Sequence, residues 1–97
     1  MKIPKTMKVG RRRYNIKQVP TLPRHDNGYI WPLRREILLS TQSSHGRDRP
    51  AELVAETFWH ETTHAILYDM GHSLWKNEEF VRRFSKRLHG AIASATF

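Results

Sequence analysis

The segment from Pro50 to Gly71, PAELVAETFWHETTHAILYDMG, constrains this chain more than any other. It reads as one long helix. Pro50 suits the first turn, Glu52 lies near the positive end, and Gly71 is a natural stop after Met70. At about 100° per residue, His60, Glu61 and His64 fall on one side with Leu53, Val54, Thr57 and Tyr68. Ala55, Trp59 and Ile66 take the opposite side, and only Glu52, Glu56 and Thr63 form a polar stripe. A helix apolar nearly all round belongs in the middle of a domain. In a chain of 97 residues, read as a single domain over 1–97, everything else must pack around it. The same helix carries two histidines and a glutamate into the interior, where uncompensated polar groups cost free energy.

The first half, 1–50, is basic and reads as strands and turns. Lys8 to Val19 sets Tyr14 and Ile16 in alternation, with Gly10 marking a turn or bulge before them. Pro20 to Gly28 is loop chemistry, a short Tyr-Ile-Trp follows, and Arg35 to Ser40 is a second strand. Thr41 to Pro50 is polar and breaks structure. The second half, 51–97, is helical. After Gly71, Asn77 caps a second helix whose first turn holds Glu78 and Glu79. Phe80, Val81, Phe84, Leu88 and Ile92 form its apolar face, and Arg82, Arg83, Lys86 and Arg87 its outer side. The layout is β-β-(β)-α-α, an α+β fold.

His60 and His64 are one turn apart, so both imidazoles can reach one ion. Glu61 points beside that ion, where a water would sit, and a carboxylate there can take the water's proton and pass it to a leaving amine. His-Glu-x-x-His on a helix is the signature string of zinc peptidases. The alternative is a pair of core histidines bonded to backbone or carboxylate. Without cysteine, thiolate ligands are excluded, and the third ligand is sought on the second helix. Glu78 lies about 100° from the centre of its apolar face and Glu79 about 160°, which favours Glu78. His72 and His89 are looser candidates.

HETTHAILYDMG followed by NEEFVRRFSKRL resembles the small phage-type gluzincin metallopeptidases related to the IrrE/ImmA-like peptidases. The resemblance implies a minimal zincin fold: a short twisted sheet, an active-site helix and a glutamate-bearing C-terminal helix. It implies zinc held by His60, His64 and Glu78, and Glu61 as general base. It also implies an edge strand along the cleft that pairs with an extended peptide, for which Arg35 to Ser40 is the candidate. No residue clearly matches the oxyanion-stabilising Tyr or His of larger gluzincins; Tyr29, Tyr68 and His72 are the candidates.

Charge adds a second reading. Residues 1–50 hold 12 Lys/Arg against Asp26, Glu36 and Asp48, a balance of +9, while 51–97 hold 5 against 6 acids, a balance of −1; together they give the net +8. A basic half attracts nucleic acid or another acidic surface. Three partners are therefore weighed: a protein or peptide substrate for a zinc endopeptidase, nucleic acid for a basic module with structural zinc, and DNA-bound proteins for a protease that resembles the SprT-like enzymes in logic. Lys8, Arg11, Arg12, Arg13 and Lys17 would form the contact surface. No apolar run is long enough for a membrane span, and the basic N-terminal stretch lacks the apolar core of a secretion signal. The expectation is a monomer in the cytoplasm, the host's if the chain is phage-encoded.

Overall fold

Alternating residues build the sheet. The computed structural model describes residues 1–97 and contains four strands: β1 (Thr6–Val9), β2 (Arg12–Val19), β3 (Gly28–Trp31) and β4 (Glu36–Ser40). Tyr14 and Ile16 on β2, with Ile37 and Leu39 on β4, point to one face and are buried, the period-two pattern of a half-buried strand. Gly10, at φ +61°, makes the turn between β1 and β2. The order across the sheet is β1-β2-β4-β3. The outer pairs are antiparallel and the central β2–β4 pair is parallel. With two helices, the molecule is α+β with a mixed sheet.

That order corrects one expectation. The sequence reading places the cleft-side edge at Arg35 to Ser40, but β4 is interior, hydrogen-bonded to β2 on one side and β3 on the other. The edges are β1 and β3. Ile37 and Leu39 are both 0% exposed, and a strand of such apolar content gains most from the centre of a sheet. The last strand in sequence is thus not the last in space.

Helix α1 (Ala51–Asp69) packs on the inner face, where Val54, Phe58 and Ala65 join Val9, Tyr14, Ile16, Ile37 and Leu39 in one core. Its bounds agree with the sequence reading, although Pro50 takes the cap position and no side chain caps the first turn. Gly71 ends it at φ +65°. The helix is not covered all round. Leu53 and Ile66 are 47% and 42% exposed. Thr63, expected on the polar stripe, is buried and its hydroxyl donates to the Trp59 carbonyl at 2.8 Å.

Helix α2 (Glu78–Ser94) is capped by Asn77, whose side-chain oxygen accepts from the Phe80 amide at 2.9 Å. Its inner face is rotated from the predicted one. Only Val81 and Ser85 are buried, while Phe84 and Ile92 are 49% and 46% exposed. Phe80 and Phe84 stack on each other at 5.8 Å instead. Val81 and Ser85 form the stripe that α2 turns inward. Glu78 precedes Val81 by three residues and Ser85 by seven, so it lies on the same stripe as both. No helix is long and apolar enough to cross a membrane.

Candidate metal centre

The rotation of α2 brings Glu78 over the two histidines. Glu78 Oε2 lies 3.0 Å from His60 Nε2, and Glu78 Oε1 lies 2.9 Å from His64 Nε2. The imidazole rings stand edge to face, 5.0 Å between centres. One ligand atom from each of His60, His64 and Glu78 falls within 4.8 Å of the others, a group that could hold a metal ion. Glu79, one residue on, is exposed and lies among Arg82, Arg83, Lys86 and Arg87 on the outer side. Helix phase thus separates the two neighbouring carboxylates.

Hydrogen bonding shows what this arrangement wants. His64 Nδ1 is 2.6 Å from the Trp75 carbonyl oxygen, which only accepts, so Nδ1 carries the proton. In a neutral ring, Nε2 then turns a lone pair towards Glu78 Oε1 at 2.9 Å. Two acceptors that close repel each other unless a cation, a proton or a metal ion, lies between them. His60 meets the other oxygen of the same carboxylate. Burial holds the His60 ring below its usual range; Glu78 raises it in part and His64 lowers it again. A neutral ring is the form that ligates metal. The donor set fits: ligand atoms about 2.0–2.1 Å from a tetrahedral ion sit roughly 3.3 Å apart, close to the observed nitrogen–oxygen spacings. The Trp75 carbonyl is the kind of partner that fixes a ligating histidine's tautomer and ring orientation.

Glu61 lies beside this group in different surroundings. It is 5% exposed. Burial first, then the charges of Glu78 and Asp26, push its carboxyl up to about 8. The first residue of β3 sits directly against it. A Cβ added at Gly28 would lie 2.5 Å from Thr57 Cγ2 and 3.0 Å from Glu61 Oε2. Glycine therefore lets the sheet edge approach the middle of α1. Arg49 holds that approach together. Its guanidinium donates to the Ser40 carbonyl at 2.7 Å, the Asn27 carbonyl at 3.3 Å and the Thr57 hydroxyl at 2.8 Å. One side chain thus joins the end of β4, the residue before β3 and α1.

An open pocket of about 500 Å³ borders His60, Glu61, His64 and Glu78, with Gly28, Tyr29 and Trp75 on its walls. A second opening of about 780 Å³ continues from it, sharing Asp26, Gly28, His60 and Glu61. The two join into a groove beside the start of β3, meeting at Asp26, Gly28, His60 and Glu61.

The remaining candidates separate cleanly. Of the three considered as oxyanion donors, only Tyr29 borders the pocket. The His72 ring accepts from the Leu74 amide at 3.0 Å and caps a short turn. Tyr68 packs edge-on against Trp75 at 4.9 Å. His89 pairs with Glu52 at 3.2 Å, away from the centre. Gly28, Arg49 and the Trp75 carbonyl were not singled out in the sequence. Gly28 carried a faint signal, a glycine opening a strand; a backbone carbonyl and a long-range clamp carry none. No family model matches this chain, and no curated protein or solved structure matches it.

Proposed function

We propose that this chain is a zinc-dependent metallopeptidase of the minimal gluzincin type. The observation that carries the reading is the convergence of His60, His64 and Glu78 at an open groove, with Glu61 beside them. Three ligands, rather than the four of a closed structural site, are the catalytic pattern. With no cysteine in the chain and no fourth His, Asp or Glu in the group, that pattern favours an enzyme over a structural zinc module.

Each residue then has a role. His60 and His64 supply neutral nitrogens from one rigid helix, and Glu78 closes the set from α2. A divalent ion held there would lower the pKa of a bound water and polarise a substrate carbonyl. The positive charge of such an ion would favour the carboxylate form of Glu61, which would take a proton from the water that adds to the peptide carbonyl and pass it to the amine as the C–N bond breaks. The free edge of β3, rather than β4, offers backbone groups for an extended peptide to pair with. Of the three candidates for an oxyanion donor, Tyr29 is the one that borders the pocket. The groove is open, which suits unfolded or loop segments of a protein.

The test is Glu61→Gln. The variant should retain the metal stoichiometry of the wild type while cleavage of unfolded casein falls by about 10²–10⁴-fold. Unchanged cleavage would remove Glu61 from the reaction, and absence of stoichiometric zinc in the wild type would remove the reading altogether.

A further inference from the structure

The sheet has two faces, and α1 covers one. Strand register shows what the other face presents. Lys8 stands opposite Arg13 on β1 and β2. Trp31 stands opposite Glu36, and Tyr29 opposite Leu38, on β3 and β4. Arg34 ends the short turn Pro32–Arg34 that joins β3 to β4.

Trp31 is 37% exposed and Tyr29 49% exposed, their rings edge to face with centres 6.4 Å apart. The Arg34 guanidinium lies 3.7 Å from the centre of the Trp31 ring. Glu36, the only acid that the strands place on this face, is engaged by Lys17 at 3.1 Å. No acid pairs with Lys8, Arg13 or Arg34. The face therefore combines unpaired cations with two exposed aromatic rings.

A basic stripe alone fits any polyanion. The rings narrow the choice, because they reward a partner with accessible flat bases. We propose that the outer face of the sheet binds single-stranded nucleic acid, with Tyr29 and Trp31 stacking on bases and Lys8, Arg13 and Arg34 meeting phosphates. A duplex is disfavoured because its bases are already stacked, and a flat sheet has no helix or ribbon to enter a groove. The site is independent of the metal centre: α1 and the histidines lie behind the opposite face, and Tyr29 alone borders both.

The test is fluorescence anisotropy of a labelled oligothymidylate of about 15 nucleotides, long enough for one site of this kind, titrated with the full chain. Binding should weaken with salt at a log–log slope of about −2, from three phosphates at roughly −0.7 each. Trp31→Ala should weaken it about 5- to 150-fold, the range for one stacked base, and leave the slope unchanged. The double variant Lys8→Glu/Arg13→Glu should flatten the slope by about 1.4 or more and keep the wild-type metal content. His64→Ala should lose metal and keep the oligonucleotide, so the two sites fail separately. The proposal is overturned if the oligonucleotide does not bind at low salt, or if the double variant binds as the wild type does. It is equally overturned if duplex DNA or anionic phospholipid vesicles bind as well as the single strand. The wild-type slope and the double variant decide the matter even where Trp31→Ala does not fold.

Discussion

Helices α1 and α2 each bring a glutamate to the same centre, from opposite surroundings. Glu61 sits on a helix packed between the sheet and α2, and is 5% exposed. Glu78 sits in the first turn of a helix with only two buried residues, and its side chain is 73% exposed. The difference teaches a division of labour. The buried helix fixes two ring nitrogens and a carboxylate with respect to one another, because its backbone has nowhere to move. The exposed helix offers one carboxylate from an end held by an asparagine cap and a turn. A cation bound between them would tie the loosely held element to the firm one. Metal binding and the docking of α2 should therefore be linked.

Chelation should break this link with the largest effect. At a thousandfold excess over Kd, a ligand specific to the folded state contributes about 4 kcal/mol. Removing zinc with EDTA should thus lower the Tm, and hydrogen exchange should rise in the first turn of α2 before the middle of α1. Equal exchange in both helices would contradict the division.

The paired carboxylates of α2 sharpen it next. Partners of a metal's ligands typically cost 10- to 100-fold in affinity when removed, so Glu78→Gln should cost at least about tenfold in zinc affinity. Glu79→Gln, on the outer side, should stay within about twofold. A competition titration with a chromogenic chelator reads both, and equal losses would mean the phase of α2 is misassigned.

Gly28→Ala probes the firm side. Its methyl would press on Thr57 and Glu61, and overpacking of this kind costs about 1–3 kcal/mol. The variant should lower the Tm and reduce cleavage while zinc stoichiometry holds, since the atoms nearest the new methyl belong to Thr57 and Glu61 rather than to His60, His64 or Glu78. Cleavage at the wild-type rate would show that β3 need not approach α1 closely.

The smallest effect is expected at Tyr14, in the core below α1. Burial, then the charges of Tyr68 and Asp69, raise its phenol above the ordinary 10.0. A group whose folded pKa is raised favours its protonated form in the fold. Its contribution is complete below the unfolded pKa and is lost as pH rises through the folded one. Wild-type Tm should therefore fall more steeply above about pH 10 than that of Tyr14→Phe, and parallel Tm–pH curves would refute it.

The sequence by itself determined what is local. Helix α1 could be read from Pro50, Gly71 and the apolar run between them, and the cap of α2 from Asn77. His60, Glu61 and His64 share a side because 3.6 residues per turn allow nothing else. The alternation of Tyr14, Ile16, Ile37 and Leu39 announced strands with one buried face. Tertiary structure decided what depends on partners distant in the chain. Sheet order placed β3, not β4, at the edge, because strand neighbours are chosen by burial across the whole domain rather than by succession. Burial of Val81 and Ser85 set the phase of α2, which carried Glu78 over the histidines and left Glu79 and Phe84 outside. Arg49 and the Trp75 carbonyl acquired their roles only when the chain folded back on them. Short-range geometry follows from bond rotation and periodicity, whereas these contacts come from packing many segments at once, which no single stretch of residues encodes.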